Sequence, residues 1–296
     1  MDFRILTKLS IYKFHALSFF MGLILMTLEI TASRIVAPFI GNSIYSWTSI
    51  IGVILLSLSF GNIFGGYLSD KYADKKILSF ILILCGISIS VIPVINKFVP
   101  LILATNPSFI ANILLISFAL FFVPSFLLGA SFPFFLKFSA NNLTEIGLTS
   151  GKLSSLSSLG SIVGTFLTGF FFISYLGTSQ TLLILSSFLF FCGIALNIPK
   201  NFRAKIISFS FLIILLIFSF YINKLGNKTN QHVIYEQSSN YYNIMVAEDT
   251  MLANSSRLLF LDDSIHSIES VGSDELVAPY THLNSEIVQV ASKNPT

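Results

Sequence analysis

The sequence predicts a mainly α-helical polytopic membrane bundle of about seven transmembrane helices, residues 1–222, followed by a small β-rich soluble domain, residues 223–296. Three observations predict it. Apolar residues make up 54% of the chain and charged residues only 10%, with 31 phenylalanines and a mean hydropathy of +0.81, a composition outside that of ordinary soluble proteins. Runs long enough to cross the roughly 30 Å hydrocarbon layer recur up to residue 222. Beyond it the Phe runs stop, and Glu236, Glu248, Asp249, Asp262, Asp263, Asp274 and Glu275 appear.

The first span, 14–38, follows Arg4, Lys8 and Lys13. Its apolar run is too long for a signal peptide and lacks a small-residue cleavage site, so it reads as a retained span. It carries Glu29 near its middle and Arg34 toward its end. A charge at the bilayer centre costs at least about 2.5–3.5 kcal/mol, so both should face other helices. Five residues at 100° each place them about 140° apart around the helix, which disfavours a pair within it and sends their partners to other spans. A polar clasp that fixes helix packing and a cation or proton site both fit these two charges.

Further spans fall near 45–68, 77–95, 110–136, 150–175, 179–197 and 205–222. Basic residues gather on alternate loops, at 71, 75 and 76, then 137 and 152, then 200, 203 and 205, which places the N-terminus in the cytoplasm. Seven crossings then put the tail outside, although Lys224 and Lys228 pull the other way. The stretch 98–108, with Pro100 and Pro107, reads as a re-entrant or interfacial piece. In the second span Gly61 and Gly65 have small-xxx-small spacing, and the fifth repeats it with Gly160 and Gly164 among many serines, the pattern of closely packed membrane helices. Pro124 and Pro133 in the fourth span each remove a backbone donor and predict a kink.

In the tail, 232–236, 241–248 and 257–262 read as strands from their β-branched and aromatic content. The stretch 275–292 reads as a helix with Pro279 in its first turn. This makes a thin core, marginal by itself. Cys85 and Cys192 lie in apolar runs and form no disulfide framework. The four histidines have no metal-ligand spacing, and no Ser/His/Asp or Cys/His arrangement is legible, so neither a metal nor a catalytic residue is assigned. The net charge of +3 averages a basic bundle with an acidic tail and leaves no patch for nucleic acid.

Two resemblances add to this reading. After the second span, Gly66-Tyr67-Leu68-Ser69-Asp70-Lys71-Tyr72-Ala73-Asp74-Lys75-Lys76 is similar to the loop between the second and third helices of major facilitator transporters. There the Gly permits close helix approach and the Asp at a helix end pairs with basic groups. That likeness supports an alternative function, a small-molecule or cation transporter worked by Glu29, Arg34 and Asp70.

The broader resemblance is to membrane-fused spermidine synthase-like proteins, polyamine aminopropyltransferase relatives. It is carried by Leu28-Glu29-Ile30-Thr31-Ala32-Ser33-Arg34 with Trp47-Thr48, by Leu127-Leu128-Gly129 through Pro133, and by Ser158-Leu159-Gly160 through Thr165. In the tail Tyr235-Glu236-Gln237-Ser238-Ser239-Asn240-Tyr241 and Leu259-Phe260-Leu261-Asp262-Asp263-Ser264-Ile265-His266-Ser267 resemble the small β-domain that precedes the family's catalytic fold. The resemblance implies polyamine metabolism in the bacterial inner (plasma) membrane, with Tyr241, Asp262, His266 and Tyr280 on the substrate side. Asp263, His266 and Tyr242 depart from the family pattern at positions that help hold the donor and the amine. The family's next element is a Gly-rich turn and doubly wound sheet holding decarboxylated S-adenosylmethionine. The sequence ends where that would begin, so the expectation is a chain without the donor-binding domain, with no cofactor of its own and inactive alone. Expected partners are the bilayer, a polyamine, and a second copy or a separate catalytic chain for which this one is a scaffold.

Overall fold

A computed structural model of the chain describes residues 3–105, 108–140, 145–197, 232–239, 243–249, 256–261, 264–271 and 279–293. The predicted seventh span, 205–222, lies outside them. The chain divides into two compact units, Met1–Asn223 and Lys224–Thr296.

The first unit is a helical bundle: α1 (Phe3–Ile40), α2 (Ile44–Tyr72), α3 (Lys75–Asn96), α4 (Val99–Thr105), α5 (Phe109–Ser139), α6 (Ile146–Leu167), a π-helical segment (Thr168–Leu176) and α7 (Gly177–Leu196). Five helical runs are long and apolar enough to cross a membrane, with mean hydropathies of 1.7 to 2.7. The predicted re-entrant piece is the seven-residue α4, too short to span. Pro124 and Pro133 both sit inside α5, which stays helical through them.

The fifth run, Ile146–Leu196, has 51 residues. At 1.5 Å per residue it would be about 77 Å long, more than twice the hydrocarbon thickness. The packing resolves this. Phe14 stacks on Phe138 at 5.1 Å, Lys75 lies over both rings, Lys137 pairs with Asp70, and the Ser18 hydroxyl donates to the Leu153 carbonyl at 2.8 Å. The start of α1, the end of α2, the start of α3, the end of α5 and the start of α6 therefore share one end of the bundle. From there α1 and α6 run in step, Ser161 donating to the Gly22 carbonyl and Thr168 to Thr27. Along α3 and α7 the order reverses: Ser79 donates to the Gly193 carbonyl, and Gly86 lies against Ser186. Thus α6 leads away from the shared end and α7 returns to it. The turning point is Gly177, whose φ of 73° and ψ of 176° are open essentially to glycine alone.

Three helix pairs interlock through glycine, and in each a side chain added to the glycine would strike the partner's backbone. A Cβ on Gly61 or Gly65 of α2 would fall on the Phe126 or Ala130 carbonyl, and one on Gly129 of α5 would come 2.6 Å from the Leu58 carbonyl. On α6, Gly160 meets the Phe19 carbonyl, and a Cβ on Gly164 would lie 2.5 Å from that of Leu23. Gly86 and Gly193 do the same between α3 and α7. Lipid tails are as apolar as leucine, so close packing and interhelical hydrogen bonds, about 0.6 kcal/mol each on average, hold such a bundle. Gly66, by contrast, faces open space. Close approach belongs to its neighbour Gly65, four residues after Gly61 on the same face.

The exposed rings of Tyr45 and Tyr67 sit near opposite ends of α2, twenty-two residues or about 33 Å apart, as interfacial belts would. At the α2–α3 elbow Ala73 has φ 29° and ψ 38°, the left-handed region that costs an L-residue about 1–2 kcal/mol. Ala73→Gly is expected to relieve this and raise stability by about 0.5–1 kcal/mol after the extra freedom it gives the unfolded chain. Ala73→Val should lower it; thermal unfolding of the detergent-purified protein reads both.

The second unit is an antiparallel meander of β1 (His232–Ser238), β2 (Asn243–Asp249), β3 (Ser256–Leu261) and β4 (Ser264–Ser270) in that spatial order, with helix α8 (Pro279–Lys293). Leu258 pairs with Ala247 on one side and Ile268 on the other, and Leu258 and Ala247 are buried. Pro279 opens α8, where its missing N–H costs nothing. Strand β4 is an addition to the three strands legible in the sequence.

Candidate functional site

Within the bundle, Glu29 and Arg34 are both half-buried in α1. Glu29 is seven residues beyond Gly22, and Arg34 seven beyond Thr27, so each lies within about 20° of that residue around the helix. Gly22 packs on Ser157 and Thr27 on Thr168, so the two charges line opposite flanks of the seam between α1 and α6. They are not brought together. No ion pair or hydrogen bond from the described residues reaches Glu29. Two residues on, the Thr31 hydroxyl is fully buried with no hydrogen-bond partner among the described residues. The π-helical segment begins beside this seam at Thr168, whose hydroxyl meets both Thr27 and the Gly164 carbonyl. Such segments are rare and recur at functional sites.

Asp70 lies elsewhere. It is exposed at the end of α2, 3.0 Å from Lys137 at the end of α5. It belongs to the surface of the lysine-bearing end and shares nothing with Glu29 and Arg34. At this exposure the energetic worth of the Asp70–Lys137 pair is below about 1 kcal/mol. The partner of Asp70 was not identified in the sequence, because the two residues are 67 positions apart. Cys85 and Cys192 are free and buried, and the Cys85 thiol donates to the Pro124 carbonyl at 3.5 Å. Among the described residues no group of His, Cys, Asp and Glu is placed to hold a metal ion.

In the aqueous unit, His266 lies exposed on β4 and Tyr280 in the first turn of α8. The Tyr280 hydroxyl donates to the His266 main-chain carbonyl, so the start of α8 is tied to the outer strand. Of the four tail residues singled out, these two are brought together; Tyr241 and Asp262 lie outside the described residues. About half of Tyr280 remains exposed, at 49%. An exposed ring of this kind attracts an organic cation through its electron-rich face. No known protein family, curated protein or solved structure matches the chain.

Proposed function

We propose that the chain is a membrane-embedded, aminopropyltransferase-like protein of polyamine metabolism, whose aqueous unit supplies the surface that meets the polyamine. The observation that carries this reading is the Tyr280–His266 contact. Two residues that the resemblance assigns to the substrate side, 14 positions apart and on different elements, meet at one place on the sheet. In this reading the bundle crosses the bacterial inner membrane with α1, α2, α3, α5, α6 with its π segment, α7 and the predicted span 205–222. The residues present do not fit the nucleoside donor: the tail's glycines are Gly226 and Gly272, which form no Gly-rich cradle. No step through decarboxylated S-adenosylmethionine is therefore assigned to these residues.

The test is calorimetric titration of the full chain in detergent with spermidine and putrescine. Binding is expected, and Tyr280→Ala should weaken it about two- to fivefold by removing the ring beneath the cation. Saturable binding that Tyr280→Ala leaves unchanged, or no binding of either amine, defeats the reading.

A second reading, a cation transporter, is favoured by one observation: Glu29 sits half-buried in a span with no described partner beside a π-helical segment. It expects Glu29→Gln to abolish amine uptake into vesicles while the protein stays folded. Uptake retained in that variant ends it. Asp70, exposed on the bundle's end, takes no part in such a path.

A further inference from the structure

We infer that the lipid-facing side of α2 is a dimerisation surface, on which Asn62 meets Asn62 of a second copy of the chain. Asn62 is exposed on a membrane span, and no hydrogen bond from the described residues reaches it. It lies five residues, about 7.5 Å along the axis, from the exposed ring of Tyr67, farther than its short side chain reaches toward the headgroups. A hydroxyl on a span can return to the carbonyl four residues back, as that of Ser59 does to Leu55 at 2.9 Å. A carboxamide carries two donors and an acceptor, more than a helical backbone whose bonds are already made can satisfy. In hydrocarbon such a group is costly to leave unpaired, so the face that carries it calls for a polar partner.

The rest of this face fits a second α2 better than it fits lipid. Thr48, Gly52, Leu55, Ser59, Asn62 and Gly66 follow one another at alternating steps of four and three residues, a line within about 80° of arc and roughly 160° round the helix from the side buried in the bundle. The large apolar residues Leu56, Phe60 and Ile63 stand exposed beside it. Among the described residues nothing lies near the Cβ positions of Gly52 and Gly66, whereas Gly61 and Gly65 of the same helix are pressed against α5. A helical glycine with no neighbour is a poor choice, and a second backbone approaching this side as α5 approaches the other gives both glycines a use. Steps of four and three hold two helices in register along a left-handed crossing. Every copy enters the bilayer with the same orientation, so two α2 helices meet in parallel about an axis along the membrane normal, and each residue faces its own counterpart at the same depth. An amide suits such a position, because the N–H of one Asn62 donates to the side-chain oxygen of the other and the reverse. A lipid tail offers no such pairing.

Cysteine cross-linking and the density dependence of association, both with the full chain in phosphatidylcholine liposomes, test this. Ser59→Cys is expected to form a disulfide-linked dimer on mild oxidation, and Phe60→Cys, exposed beside it but turned about 100° away, is not. The native Cys85 and Cys192 are buried, so the parent chain is the blank. Asn62→Leu removes two reciprocal hydrogen bonds of the strength usual between membrane helices and should raise the dimer dissociation constant about eightfold. Gly52→Leu, which has free space within its own chain, should raise it further by holding the two helices apart. Melting temperatures equal to that of the parent establish that both variants are folded. A chain that stays monomeric at every density overturns the inference. So does equal cross-linking of the two cysteine variants, which means random collision, or association that Asn62→Leu and Gly52→Leu leave unchanged, which puts the dimer contact elsewhere. A Ser59→Cys thiol shielded within a monomer means that another segment of this chain covers the face, and overturns it too.

Discussion

Gly160→Leu should break the bundle. The substituted Cβ would fall on the Phe19 carbonyl, which is backbone and has no rotamer to move out of the way. Relief requires α1 and α6 to separate along their length, and that loses the Ser18–Leu153, Ser161–Gly22 and Thr168–Thr27 hydrogen bonds together. Overpacking of a well-fitted core costs about 1–3 kcal/mol when side chains can adjust, so a loss of about 3 kcal/mol or more is expected here. Gly151→Leu is the matched control, because that glycine is exposed on the same helix with nothing near its Cβ position. Thermal unfolding in detergent, followed by size-exclusion chromatography, should show Gly160→Leu aggregating at the lowest temperature and Gly151→Leu close to the parent. Similar behaviour of the two would mean that α1 and α6 do not pack as described.

Leu258→Asp should unfold the aqueous unit. Leu258 sits mid-sheet between Ala247 and Ile268 and is only 3% exposed. The substitution removes a buried leucine, worth about 2–5 kcal/mol on truncation, and adds an unpaired carboxylate. A sheet of this size has no such reserve. Hydrogen exchange through β3 and β4 should rise to the level of an unstructured chain, and spermidine titration should fall with it, because β4 carries the His266 carbonyl that anchors Tyr280. Protected β3 amides in the variant would mean that this strand is not the centre of the unit.

The helices were legible because membrane spans announce themselves by length and apolarity, and the glycine spacing at Gly61, Gly65, Gly160 and Gly164 marks faces that approach closely. Which face meets which was not legible. That Gly160 seats on Phe19, and that α6 runs alongside α1 rather than against it, depends on contacts 135 to 141 residues apart. The break at Gly177 was legible only as a gap between two apolar runs; its role as the turning point follows from α7 packing backwards along α3. Strand β4 escaped notice because Ile265 and Ile268 do not alternate and serines fill much of the rest, leaving no period-two signal. The tail helix was legible as 275–292 with Pro279 in its first turn, and the described helix has Pro279 as its first residue. The contact of Tyr280 with His266 was not legible, since it joins two elements across residues that carry no periodic pattern.

The pairing of α1 with α6 also sets a timetable for biosynthesis. When the ribosome has finished α1 at Ile40, Ser157 and Gly160, which will fill the groove along Phe19, Gly22 and Leu23, are still about 120 residues from being translated. At 5–20 residues per second that is a wait of roughly 6–24 s. During it the newborn helix must shelter a half-buried carboxylate and an open backbone groove among lipids or an insertase, which makes the nascent chain, rather than the finished bundle, the stage most exposed to quality control.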